Sequence, residues 1–441
     1  MLSIAGLSPN WTSLIILLAI ITIVWVFDRK NFKREGIMFL RRTKQGLLFI
    51  DRFAKRHQKA LEIFGTLGIV LSFGALGAGY IFRAGKKKHP DAKALAVFAV
   101  LLAATLQIFK SIYAVSLSLF GASGFVMAQF IEGIVNLFTA PANAPQLQFV
   151  LPIQTTSAPV FYVPIDFWLI SIFVLLIVHE FSHAFVSRAE GVRVNSLGYG
   201  FLAVIPLGFA EPDERELKKT DSIKRSRIFA AGSFSNIIAA LLSAILLAGT
   251  TVATSAMYTT DGVIYGSVVP GTPADISLPH NGTITQVNSK VVHNTEELSQ
   301  IMDIVYPGND ISIVVNSERQ IIKTTSDPKN SSRAFIGVSG IENVIVAKEQ
   351  YAGFAGSGLS SVLFYFASLF RWLLLLNLGI GLFNLLPLKP LDGGLIFEEI
   401  TKKFWPKSWK LIYGAVAMTT LGLILLNLFG SYIVRAIAAV V

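Results

Sequence analysis

Two histidines and a glutamate end a stretch of chain that is otherwise apolar. Residues 166–178 read DFWLISIFVLLIV and run directly into His179-Glu180-Phe181-Ser182-His183. On a helix, positions i and i+4 share a face, so both imidazoles can reach one divalent ion at ~2.0–2.1 Å each. Glu180 lies beside that face, where a carboxylate can take a proton from water activated by the ion. Isolated HExxH strings arise often by accident in soluble chains. In an apolar helix the balance changes, because inserting a glutamate costs ~2.5 kcal/mol or more and intramembrane ionisable groups are usually functional. The plain alternative is a polar contact between two helices.

Catalytic zinc takes three protein ligands and leaves one position open. The chain has no cysteine, which excludes thiolate ligands, cysteine nucleophiles and disulfides. The remaining histidines, His57, His89, His280 and His293, fall in polar segments. A carboxylate near the membrane is therefore the candidate. Asp392 supplies one, in GLFNLLPLKPLDGG (381–394), just past a long apolar run. Pro387 and Pro390 before it and Gly393 and Gly394 after it are expected to break the helix and let an acid turn inward. Taken alone, Asp392 reads equally well as an ordinary helix-end or turn aspartate.

The elements that must position these groups are membrane spans. Of 441 residues, 53% are hydrophobic and 15% charged, which fits a polytopic α-helical membrane protein. Apolar runs near 11–27, 61–82, 92–109, 112–138, 163–187, 227–250, 358–386 and 408–435 give about eight spans of the required ~20 residues. The first reads as an anchor, since no small-residue cleavage site follows it. The run at 61–82 either crosses or re-enters the same face. Lys110 and Glu132 also interrupt apolar runs and read as interfacial or interhelical polar contacts.

The net charge of +11 is unevenly spread. Residues 28–59 hold eleven Lys/Arg against three Asp/Glu, whereas residues 257–345 hold nine acids against five bases. That is membrane topology and not a phosphate-binding patch, so no nucleic-acid partner is expected. The basic loop belongs on the cytoplasmic side, with the end of the HExxH span, and the acidic insert belongs outside. The expected domains are 1–162, an N-terminal transmembrane region with that basic loop; 163–256, core spans; 257–345, an inserted α+β domain; and 346–441, a core span and a C-terminal span. Within the insert, GVIYGSVVPGTPADIS, GTITQVNSKVV, NTEELSQIMDIV and DISIVVN read as strand, strand, helix and strand.

Together, HEFSH in one span and FNLLPLKPLDGG in a later one resemble the site-2 protease family of intramembrane zinc metalloproteases. Between them AGSFSN (231–236) is similar to the family's Gly-x-x-x-Asn motif, with Ser233 where a proline often stands. The phrase VVPGTPADIS resembles a PDZ domain, and an extracytoplasmic PDZ insert between core spans also looks like the family. The resemblance covers roughly 163–440. It implies one Zn²⁺ held by His179, His183 and Asp392, with Glu180 as acid/base. It implies that Asn384, and also Asn236, contacts the substrate backbone or developing oxyanion. It further implies that RVNSLGYGFLAVIPLGFAEPDE (193–214) forms a membrane-dipping β-hairpin able to pair with an unwound substrate helix.

The implied activity is hydrolysis of peptide bonds in or near transmembrane helices, either in regulated proteolysis or in clearing signal-peptide remnants. The implied partners are such helices, the lipid bilayer, and an extended peptide at the PDZ-like insert. Two other classes stay open: a catalytically inactive membrane scaffold, and a metal-ion transporter using the same three ligands.

Overall fold

The computed structural model describes residues 8–84, 112–139, 147–155, 159–202, 205–328, 330–353 and 357–438. The chain divides into two compact units, Met1–Leu246 with Ser368–Val441, and Leu247–Ala367. Among the described residues, seven helices are long and apolar enough to cross a membrane. Numbered in chain order with the rest, they are α1 (Pro9–Asp28), α3 (Gln58–Ala84), α4 (Ile112–Thr139), α5 (Ile165–Ala189), α7 (Ser222–Met257), α10 (Ser357–Phe383) and α12 (Trp409–Ala438). The expected run at 92–109 and Lys110 lie outside the described residues.

Length and composition admit α3 as a span, but its path is not straight. Gly74 takes a left-handed conformation (φ 53°, ψ −132°) and the helix folds back there. Gly65 packs on Arg227 while the Tyr80 hydroxyl lies 3.1 Å from Ser226 Oγ, so both limbs meet the same end of α7. A straight helix would hold residues 65 and 80 about 22 Å apart. The run 61–82 therefore folds back on itself. Helix α4 bends as sharply at Gly121 (φ 63°), which brings the Tyr113 and Phe125 rings to 5.7 Å. The two bends touch each other: a Cβ on Gly74 would stand 2.5 Å from the Ser118 carbonyl, and one on Gly121 would stand 2.5 Å from that of Leu71. In lipid, helices gain little from hiding apolar surface from one another, so close backbone approach and interhelical hydrogen bonds supply the cohesion. Arg225 with Glu399 at 2.7 Å, and Asn427 donating to the Phe130 carbonyl at 2.9 Å, are of that kind.

The basic segment expected as a loop is folded. It forms β1 (Phe32–Glu35), β2 (Met38–Thr43) and α2 (Leu47–Arg56). After the parallel pair β3 (Phe149–Leu151) and β4 (Val160–Tyr162), β5 (Val194–Leu202) and β6 (Ile205–Pro212), the hairpin within 193–214, join β1 and β2 in a four-stranded sheet of order β1-β2-β5-β6. All three junctions are antiparallel, with Leu40 opposite Gly200 across β2–β5 and Gly198 opposite Phe209 across β5–β6. Edge-on contacts of Phe32 with Tyr199 and of Trp25 with Phe39 bind α1 and β1 to this sheet. Asp28 at the end of α1 accepts from Arg41 Nε at 2.7 Å and from the Tyr199 hydroxyl at 2.9 Å. Charge composition could not reveal this, because the alternation in so short a strand as β1 is masked by its lysine and arginine. After β6, Asp213 caps α6 (Glu214–Lys219) by accepting from the N–H groups of Arg215 and Glu216, both at 3.0 Å.

The inserted unit is built on a sheet of order β11-β10-β8-β7-β14. Its members are β7 (Tyr258–Val268), β8 (Gly282–Val287), β10 (Asp310–Val315), β11 (Glu318–Lys323) and β14 (Val338–Ala347). Short α8 (Pro273–Ser277) and α9 (Thr295–Asp303) accompany it, with β9 (Lys290–Val291) on β8 and β12 (Thr325–Asp327) paired with β13 (Asn330–Phe335). Val263, Tyr265, Ile284, Ile311 and Ile313 alternate inward and are almost completely buried. Unlike the spans, this unit draws its stability from removing apolar side chains from water, roughly 1.5–3 kcal/mol each.

Because both bends bring backbone against backbone at a positive φ, Gly74→Ala and Gly121→Ala should each lower the thermal midpoint of the detergent-solubilised protein by several degrees, whereas Gly249→Ala, with open space at its Cβ, should not.

Candidate metal centre

Helix α5 presents His179 and His183 one turn apart, and their Nε2 atoms approach to 3.1 Å. The imidazoles are aimed by their other nitrogens. His183 Nδ1 lies 2.7 Å from the Ile228 carbonyl of α7. A carbonyl only accepts, so Nδ1 carries the proton and Nε2 keeps its lone pair. His179 Nδ1 lies 3.1 Å from the side-chain amide of Asn236, and the other polar atom of that amide is buried without a partner. With its amide oxygen toward the ring, Asn236 accepts from Nδ1–H of His179. Both Nε2 lone pairs then face the same point. Such partners fix the ring orientation of metal-binding histidines.

Helix α7 leaves the space these rings need. A Cβ on Gly232 would stand 2.3 Å from His183 Nε2 and 2.6 Å from His179 Nε2, so any side chain there would push the pair away. One residue on, the buried Ser233 hydroxyl donates to Asp392 Oδ2 at 2.8 Å.

Asp392 arrives from a third direction. Helix α10 ends at Phe383, the chain turns through residues 384–391, and α11 (Asp392–Phe404) starts with the aspartate itself. A carboxylate in the first turn is favoured by the partial positive charge of the helix N-terminus. The expectation that Gly393 and Gly394 break a helix is corrected here: they begin one. Their bare Cα atoms let the first turn of α11 pack on the loop, where added Cβ atoms would meet the Leu385 carbonyl at 2.0 Å and Leu388 at 2.3 Å. Asp392 Oδ2 stands 3.4 Å from His179 Nε2 and Oδ1 stands 3.5 Å from His183 Nε2. One ligand atom from each of the three residues lies within 4.8 Å of the others. Two imidazole nitrogens and a carboxylate oxygen, converging from separate helices onto a glycine-lined space, are a donor set suited to zinc.

Glu180 lies to one side. Its Oε2 accepts the Ala210 N–H of β6 at 2.7 Å. Beside it opens a cavity of about 600 Å³ with an almost wholly apolar lining. Leu176 and Phe181 of α5, Phe201 of β5, Leu207 of β6, and Ile20 and Val24 of α1 all contribute. Strand β6 pairs with β5 alone among the described residues, so its other edge, where the Ala210 N–H meets Glu180, carries no strand.

Two expected site residues sit differently from the others. Asn236, expected to contact substrate, is fully buried with its amide against His179. Asn384 closes the loop through its main chain, its carbonyl accepting from the Gly393 N–H at 2.8 Å, and its side chain is half-buried. Sequence reasoning missed Ser233, although the departure from the usual proline at that position was its signal. It also missed Ile20, Val24 and the Ala210 N–H, which no residue pattern marks.

Ser233→Ala should turn Asp392 loose and weaken zinc binding about tenfold, measured by competition with a chelating dye; Gly232→Ala should abolish stoichiometric binding.

The sequence model of Peptidase family M50 matches residues 167–428. A protein of Clostridium perfringens, named as a putative zinc metalloprotease, is 23% identical over 331 residues, 59% of this chain and 94% of that one. An uncharacterized protein of Methanocaldococcus jannaschii is 28% identical over 243 residues, 54% of this chain. The match spans 59% of the length of that relative. A solved PDZ domain of an SdrC-like protein from Listeria monocytogenes is 22% identical, covering 21% of this chain and 95% of the domain at a TM-score of 0.17. With more than half of its residues inside the matched region, HExxH and Asp392 among them, the chain belongs to Peptidase family M50.

Proposed function

We propose that the protein is an intramembrane zinc endopeptidase that hydrolyses peptide bonds in or near transmembrane helices. What carries the reading is the convergence of His179, His183 and Asp392 beside a carboxylate that faces an apolar groove. Zinc held by those three side chains would supply a Lewis acid and a water acidic enough to lose its proton near neutral pH. Glu180 takes that proton and returns it to the leaving amine. Gly232 keeps the space clear, Ser233 holds Asp392, and Asn236 and the Ile228 carbonyl hold the rings. Asn384 is assigned to the substrate backbone or the developing oxyanion.

A substrate helix satisfies its own backbone hydrogen bonds and must unwind before hydrolysis, which exposes groups that lipid cannot satisfy. The open edge of β6 offers a replacement partner by strand addition. The groove lined by α1, α5 and the sheet would take the apolar side chains. Strand β14 is the corresponding open edge of the insert and is assigned an extended peptide. By charge balance, the sheet and the C-terminal end of α5 face the cytoplasm and the insert lies outside. Ile20 and Val24 of α1 then complete the groove.

Reconstituted Glu180→Gln should retain about one zinc yet cut a tagged transmembrane-helix substrate about 10²–10⁴-fold more slowly than wild type. Undiminished cutting would remove the assigned base, and absence of cutting by zinc-loaded wild type would favour an inactive scaffold. Zinc flux into sealed vesicles would favour a transporter. Val24→Trp, which fills the groove at a position remote from the ligands, should reduce cutting with zinc content unchanged, as read by elemental analysis and gel assay.

A further inference from the structure

One main-chain hydrogen faces two claims. The Ala210 N–H points off the open edge of β6 and is taken by Glu180 Oε2 at 2.7 Å. Residues of a strand alternate, so Gly208 and Ala210 present their main-chain groups along that same edge. Gly208 also packs directly on α5, where a Cβ would meet Glu180 Cγ at 3.4 Å and Leu176 Cβ at 3.3 Å. Any extended chain added to this edge in register would need the Ala210 N–H for its own carbonyl. It could not share that hydrogen with the carboxylate without weakening both bonds.

We propose that Ala210 is a positioning residue whose N–H holds Glu180 against β6, and that an incoming substrate strand releases the carboxylate by taking that N–H. Pairing of a strand and readiness of the base are then one event. The active carboxylate is withheld from water and from segments that stay helical, because a helix has no free carbonyl to offer at that position. The strand holding the N–H is itself braced: Glu211 accepts from Ser196 Oγ at 2.6 Å and from Arg42 Nε at 3.3 Å, and the Arg42 guanidinium lies 5.6 Å from the Phe209 ring centre. Through those contacts the N-terminal hairpin keeps Ala210 in place beside Glu180. The inference rests on strand addition at β6 as the mode of substrate binding.

The test measures binding, not turnover. Full-length protein in lipid nanodiscs is stripped with a chelator so that no arm is cut. It is titrated with a fluorescent, leucine-rich transmembrane peptide of about 20 residues with a central Gly-Gly and a photo-crosslinker. Glu180→Ala should bind this peptide about three- to tenfold more tightly than wild type, because a competitor for one hydrogen bond is gone. Glu180→Gln should fall between the two. Replacing Ala210 by lactate, which swaps the N–H for an ester oxygen, should weaken binding and erase the gain from Glu180→Ala. Binding unchanged in Glu180→Ala, or a gain that survives the ester, overturns the inference. If crosslinks still map to residues 206–210 in that case, strand addition stands and only the coupling falls; if no crosslinks form there, both fall.

Discussion

Side chains able to ionise, enclosed among lipid-facing helices, must each find a partner, since no water is at hand to repair an omission. At this centre nearly every partner comes from one short face of α7. The Ile228 carbonyl takes the proton of His183, Gly232 yields the volume, Ser233 donates to Asp392, and the Asn236 amide meets His179. Positions 228, 232 and 236 recur every fourth residue and so lie in one line along the helix. The histidines and the aspartate are thus held by a second helix that adds no member to the His179–His183–Asp392 cluster. Moving α7 by one residue would present a side chain to the rings and leave three polar groups unpartnered.

The rest of the membrane unit can be read as what keeps that face in register. Helix α3, folded back at Gly74, lays both limbs on the same end of α7, with Gly65 and Gly68 in close backbone contact and Tyr80 reaching Ser226. The Arg225–Glu399 pair ties α7 to α11, whose first residue is Asp392. The element that carries Asp392 is therefore fastened to the helix that supports it, a few residues from the site. Such contacts suit an apolar solvent, where interhelical cohesion depends on small residues and hydrogen bonds more than on hiding apolar surface.

The groove beside Glu180 depends on chain outside the region matched by the family. Residues 167–428 supply β5, β6 and α5, but Ile20, Val24 and the whole β1–β2 hairpin come from before it. A two-stranded hairpin alone is marginally stable; four strands and an aromatic cluster make a firmer platform. The N-terminal segment therefore doubles the sheet on one side, and among the described residues the other edge, next to the carboxylate, carries no strand.

Much of the centre was legible locally. Helical periodicity alone puts His179 and His183 on one face, and the apolar run around them makes a polar accident expensive, so those residues stand out in the sequence. The strands of the insert were legible through their alternation. Asp392 was visible only as a carboxylate beside breaks, because its approach to the imidazoles is decided by the packing of α11 on α7. The fold-back of α3 was undecidable from five glycines spread through an apolar run: what bends the chain is the contact of Gly74 with Gly121, two segments far apart in sequence. The same holds for Ser233, Asn236, Val24 and the Ala210 N–H. Residue type and spacing determine what a segment can do by itself; which groups meet across helices depends on close packing in three dimensions, and that is where this protein places its ligand supports and its groove.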